Sequence, residues 1–204
     1  MQTPASRLDY FLSFTVLAEP IDVTSAVVAS IFEQFQLSQP MLKSEEPLSL
    51  DRIYIGSPPP GGAHPHRVVL YAPKSSIGST VVITNRRDGW SSLSRVLAKR
   101  LGAKQAQLTA TNKIEYPAVL FCAWLHGTER AVVCMRDGHA WVFHTQGQEL
   151  PFEETSAYSA RRISKRLTRE MALRYVKALG WDAAESEFWQ AQGDAIYFEQ
   201  GTLN

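Results

Sequence analysis

The chain predicts an α+β fold: a mostly antiparallel sheet with a C-terminal meander, packed by about three to four helices. Three observations carry that reading. Between residues 117 and 144, three apolar runs follow one another with only short turns between them, the pattern of consecutive hairpins. Along the whole chain the order is strand, helix, several strands, helix, a run of strands, then helices, without the strict βαβα alternation of a doubly wound parallel sheet. The 204 residues, 45% apolar and 20% charged, have the composition of an ordinary soluble globular protein. A single domain over residues 1–204 buries roughly 70% of its unfolded surface and needs no disulfide or metal staple.

Leu8, Tyr10, Leu12, Phe14 and Val16 alternate with Asp9, Ser13 and Thr15, the period-2 mark of a half-buried strand, and Pro20 closes it. From Asp22 or Thr24, either a fair N-cap, Val27, Val28, Ile31, Phe32 and Phe35 share one helical stripe bounded by Pro40. Residues 48–55 read as a second strand. The run from Ser57 through Pro58-Pro59-Pro60-Gly61-Gly62 to Pro65 reads as a surface loop, because proline lacks the ladder donor and glycine adds backbone freedom. Residues 66–72 and 79–84 are strands around a turn at 73–78. Asp88 N-caps a helix with Trp90, Leu93, Leu97 and Leu101 inward and Arg95, Lys99 and Arg100 outward, stopped by Gly102. Residues 105–111 form a further strand.

In the meander, residues 118–125 are almost continuously apolar, His126-Gly127-Thr128-Glu129 supplies a turn, and residues 131–135 are apolar again. Asp137-Gly138 sits where a type I′ turn, with φ > 0 at both central positions, is expected before Ala140-Trp141-Val142-Phe143. A meander this apolar needs cover on at least one face, and on both over part of its length. Beyond Gly147 the character turns helical. Thr168 caps a helix with Met171, Ala172, Tyr175 and Leu179 on one side, Gly180 fits the left-handed C′ position, and Trp181 packs back on Val176 as in a Schellman motif. A short amphipathic piece over residues 183–190 carries Phe188 and Trp189.

The charge balance, 21 Lys and Arg against 20 acids for a net charge of +1, lacks the basic footprint of a dedicated nucleic-acid binder. No segment approaches the ~20 apolar residues that span a bilayer, and the expected location is cytoplasmic. Cys122 and Cys134 fit that compartment as two buried, reduced thiols. With the first hairpin turning about Thr128 they stand opposite each other, with Cβ atoms about 4.5–5.5 Å apart. Burial of Cys122 in an apolar strand suppresses its thiolate.

His64-Pro65-His66 offers two imidazoles without an acidic or His-rich partner motif, and the faces of His126, His139 and His144 stay open. G-x-S-x-G, G-x-G-x-x-G and the P-loop pattern do not occur. No catalytic residue, cofactor or metal ligand is therefore assigned. The strongest charge cluster is Arg161, Arg162, Lys165, Arg166 and Arg169, partly neutralised by Glu153, Glu154 and Glu170. It reads as a solvated turn or as a contact surface for an acidic partner or a phosphate backbone. Trp90, Trp124 and Trp141 sit on periodic apolar faces and are expected in the core; Trp181 and Trp189 flank the last helix as core edge or interface.

Asp88-Gly89-Trp90 opens a helix with Leu93, Leu97 and Arg100, and is followed by Trp141-Val142-Phe143, Gly147 and Leu150-Pro151-Phe152-Glu153. Tyr158, Arg162-Ile163, Arg166-Leu167-Thr168, Tyr175 and Leu179-Gly180 complete the set. Over residues 88–180 this pattern resembles a bacterial immunity-protein-like family associated with polymorphic or contact-delivered toxins. The resemblance implies a non-catalytic protein that neutralises a cognate toxin by stoichiometric binding. Such interfaces bury about 1,600 Å² with a few Trp, Tyr or Arg anchors. The expected contact residues are Glu153, Glu154, Arg161, Arg162, Arg166, Trp181 and Trp189. A basic nuclease fits such a balanced chain less well, although Glu45-Glu46 or Glu153-Glu154 offers a local acidic patch. Neither a membrane nor nucleic acid is the expected partner, and no cofactor is expected. The alternatives are a small-molecule or nucleic-acid binding regulator using residues 161–169, and a hydrolase centred on the histidines.

Overall fold

In a computed structural model of the protein, residues 11–34, 41–54, 66–86, 89–111 and 117–200 are described. The order is β1 (Phe11–Leu17), α1 (Ile21–Gln34), β2 (Met41–Glu46), α2 (Leu50–Tyr54), β3 (His66–Tyr71), β4 (Thr80–Thr84), α3 (Ser91–Leu101) and β5 (Gln105–Thr111). There follow β6 (Ala118–Leu125), β7 (Thr128–Asp137), β8 (Ala140–Gln146), 3₁₀ turns at Thr155–Ser159 and Ile163–Lys165, α4 (Arg169–Ala178), a third turn at Ser186–Trp189 and β9 (Ala195–Gln200). The strands form one sheet in the order β2-β9-β3-β4-β1-β5-β6-β7-β8. Every neighbouring pair is antiparallel, and β5 to β8 are neighbours in chain order, a true meander.

Two helical layers explain the burial pattern. Val28, Ile31 and Phe32 of α1 and Leu93 and Leu97 of α3 pack on Leu17, Val68, Leu70, Val82, Ile196 and Phe198. On the opposite face, Met171, Ala172, Tyr175 and Val176 of α4 pack with Leu12, Phe14, Val16, Val69, Val81, Leu108, Phe121 and Val132. Strands β3 and β4 lie between both layers, so they read as near-continuous apolar runs and not as alternation. Farther out, β6 alternates buried and half-buried residues because only the α4 side is covered there.

The end of α4 follows the sequence expectation closely. Thr168 Oγ1 accepts the Met171 N–H at 3.3 Å. Gly180 (φ 101°) and Trp181 donate to the carbonyls of Lys177 and Val176 at 2.8 and 3.2 Å, the paired bonds of a Schellman motif.

Several expectations are corrected. Residues 48–55 contain the short helix α2, and the strand lies earlier, over Met41–Glu46, whose polar edge sequence has no apolar alternation to announce it. The chain ends on β9, which inserts between β2 and β3, where a helical end was expected. The first hairpin turns on His126 (φ 49°) and Gly127 (φ 79°), pairing Leu125 with Thr128. That register sets Cys122 opposite Ala131 and Cys134 opposite Val119, so the two thiols point to opposite faces. In the second hairpin the turn residues are Gly138 and His139, one position later than expected, and only Gly138 has positive φ (57°).

Helix α3 begins at Ser91 with Trp90 left-handed before it (φ 54°), and the expected Asp88 cap lies outside the described residues. Also outside them lie the strand start at Leu8 and Tyr10, Phe35, Pro40, the Pro/Gly-rich loop and His64. Trp90, Trp124 and Trp141 are half-buried and not core, whereas Trp181 is 2% exposed. Its indole donates to Ser79 Oγ at 3.0 Å, which satisfies the one polar group such burial strands. No helix of the described residues is long and apolar enough to cross a membrane.

Candidate functional site

The expected contact residues separate into two groups. The Glu153 side chain is fully buried and bonded in bidentate fashion by Arg130, with Nε and Nη2 at 2.8 and 2.6 Å from its two oxygens. The Leu150 N–H and the Tyr158 hydroxyl also donate to Glu153, at 2.9 and 2.7 Å. Arg130 spends Nη1 on the carbonyls of Gln146 and Gly147. Burial pushes the Glu153 carboxyl up, but the bonds from Arg130, Leu150 and Tyr158 outweigh it and hold it below the ordinary range. Burial, aided by bonds to Tyr175 and Glu153, drives the Tyr158 phenol far up. Gly147 (φ 82°) passes so close to β7 that a Cβ there would lie 2.1 Å from the Glu129 carbonyl oxygen. This cluster clamps the segment after β8 onto the α4 face of the meander. Glu153 and Trp181 are therefore structural, and offer no side-chain surface to a partner, contrary to the sequence expectation.

The other expected residues are at least partly accessible. Glu154 is held by Arg174 at 2.6 Å on the surface. Trp189 is half-buried, its indole bonded to the Ala183 carbonyl and its ring edge-on to Phe14 and Phe188. Residues 161–169 are not one helix: Arg161 and Arg162 precede the turn Ile163–Lys165, and Arg169 starts α4. The turn packs on β7 and β8, where the Cys134 thiol donates to the Ile163 carbonyl at 3.2 Å. The Arg166 guanidinium lies 5.7 Å from the Phe143 ring centroid and bonds the Ala160 carbonyl.

Sequence reasoning missed the other face of the meander. Register puts Ala118, Leu120, Cys122 and Trp124 of β6, Ala131, Val133 and Met135 of β7, and Val142 and His144 of β8 on one surface. Helix α3 covers that side only as far as the Arg95–Glu129 ion pair (2.7 Å), so Leu120 and Val133 stay half-buried, and Met135 and Val142 are 39% and 38% exposed. The strand at its rim, β8, ends the sheet. Its residues Ala140-Trp141-Val142-Phe143-His144-Thr145-Gln146 include no Asp, Glu, Lys, Arg or Pro, and its pairing with β7 is unbroken. The opposite edge, β2, carries Lys43, Glu45 and Glu46, the usual protection of a free edge. The period-2 pattern of the meander was legible, but nothing local says which side a helix will cover.

Beneath α3 the sheet is polar. Ser13 bonds Thr109 (2.9 Å), Thr15 bonds Ser94, and the Gln107 amide donates to Ser91 (3.1 Å). Gly89 (φ 68°) lets the backbone approach this seam, since a Cβ would lie 2.3 Å from Ser13 Oγ. A crevice of about 30 Å³ opens here between Ser91, Arg95, Gln105, Cys122, Trp124 and Glu129, too small for an organic substrate. Burial first, then the Glu129 carboxylate, push the Cys122 thiol up to about 12 despite Arg95. His126 and His139 stand in different hairpins, and no group of three or more His, Cys, Asp or Glu among the described residues is placed to hold a metal ion.

Comparison with protein-family models, curated proteins and solved structures finds no match.

Proposed function

We propose that this chain is a non-catalytic binding protein that neutralises a partner by stoichiometric occlusion, as the resemblance to immunity proteins of polymorphic toxins implies, and that it acts in the cytoplasm of the producing cell. The observation that supports it best is the open, half-apolar face of β6 to β8 joined to an uncharged edge strand. Isolated exposed apolar side chains are ordinary, but a contiguous patch on a rigid sheet marks an interaction surface. Both features serve recognition, and both sit where the α4-side clamp holds the meander in shape. The expected partner is a bacterial toxin domain, engaged over about 1,600 Å².

The test is to inspect the neighbouring genes for a toxin domain and to co-express any such domain with this chain. Rescue of growth and co-purification near 1:1 support the reading. Rescue without a complex, or turnover of the toxin or its product by the purified chain, overturns it. Met135→Glu combined with Val142→Glu places two charges on the open face; it is expected to abolish the complex while leaving the far-UV circular dichroism unchanged.

A further inference from the structure

We infer that the free edge of β8 receives an extended acidic segment of the partner as a tenth strand; this deepens the binding reading above and rests on it. Three observations converge. The edge offers unpaired backbone groups with none of the charges, prolines or bulges that natural edges use to refuse a strand, whereas β2 at the other end carries them. Beside the edge, on the α4 side, stand cations without acidic partners. Arg136 pairs across from Trp141, and Arg161, Arg162 and Lys165 lie exposed on or just before the turn that packs against β8. Among the described residues none of these four engages a carboxylate, whereas Arg95, Arg174 and Lys177 each do. On the open side the flank is apolar, with Val142 and Met135.

A strand added to β8 places alternate side chains on the two sides. The fitting sequence therefore alternates acidic residues, toward Arg136, Arg162 and Lys165, with apolar residues, toward Val142. A nucleic acid would use the cations but has no use for a strand edge. A second copy of this chain would bring the same cations together across the pairing and repel itself.

The experiment is an NMR titration of the full-length, ¹⁵N-labelled protein with a short blocked peptide alternating glutamate and valine, and with its lysine–valine counterpart. The acidic peptide is expected to slow amide exchange across β8, the lysine peptide to leave it unchanged, and Arg162→Glu/Lys165→Glu to weaken the acidic peptide by about tenfold or more. Both substituted side chains are exposed, so the variant is expected to fold. Equal binding of both peptides, indifference to the charge reversal, or no protection of β8 at saturating peptide overturns the inference. So does concentration-dependent protection of β8 without peptide, which marks a dimer, or tighter binding of a short RNA or DNA duplex. If the chain captures its toxin with β8 exchange unaltered, strand addition fails and the binding reading stands. If the peptide binds but no toxin is neutralised, the reverse holds.

Discussion

The Glu153 side chain has no exposed surface, and it stays ionised only because Arg130, the Leu150 N–H and Tyr158 replace the water it has lost. Removing the acid alone leaves the Arg130 guanidinium buried without its partner, which typically costs about 3–5 kcal/mol. Glu153→Gln is thus expected to lower stability by that order in urea denaturation, whereas Arg130→Met with Glu153→Leu recovers much of the loss. The pH dependence has a definite sign. The folded-state value of Glu153 lies below the ordinary 4.5, so its contribution is complete above that value and is lost as pH falls through the folded one. His66 adds an earlier acid loss: burial, then the Arg86 cation, lower its value from 6.5, so protonation favours the unfolded chain below that pH. Denaturation midpoints measured between pH 3 and 8 should fall in two stages, and Glu153→Gln should diminish the lower one, which Glu170 shares, and leave the His66 stage in place. Cys122, raised to about 12 from an ordinary 9.0, should hold roughly a thousandfold less thiolate than a free thiol and alkylate correspondingly slowly until the protein unfolds.

Among the elements, α4 was the most legible, because its signals are local: Thr168 at the start, the spacing of Met171, Ala172 and Tyr175, and Gly180 at the end. Thr168→Ala should cost about 1 kcal/mol, and Gly180→Ala a similar amount, both read from thermal melts. Strand existence in the meander was legible too, but its register was not. The expected turn about Thr128 moved to His126-Gly127, and an odd shift in the pairing sum sends the two cysteines to opposite sides. Mild oxidation should accordingly leave both thiols free in the folded protein, checked by mass under non-reducing conditions. Strand β2 was illegible as a charged edge; the Ala195-Ile196-Tyr197-Phe198 run of β9 is apolar and β-forming, but its place between β2 and β3 is set by tertiary pairing alone.

Across the whole molecule, the last strand completes a sheet begun near the N-terminus, since β9 bridges β2 and β3 and packs Tyr197 and Phe198 into the two opposite cores. A chain truncated before Ala195 should lose cooperative unfolding, because among the described strands β2 loses its only sheet neighbour and β3 one of two. The candidate site was only partly legible for a related reason. Charge runs show in a sequence, as at Arg161, Arg162 and Arg166; Glu153 and Trp181 look equally available, but partners distant in sequence, Arg130 and Ser79, draw both side chains inside. Leu120, Val133, Met135 and Val142 look like core residues until the reach of α3 is known.

That limited reach has a mechanical consequence. Strands from β9 to β5 are sandwiched, while β7 and β8 lean on one support only, so the turn end of the outer hairpin, away from the Arg130–Glu153 clamp, can open at a fraction of the global unfolding free energy. A protease working under native conditions should find its first cuts around Arg136, and the remainder of the fold should survive the nick.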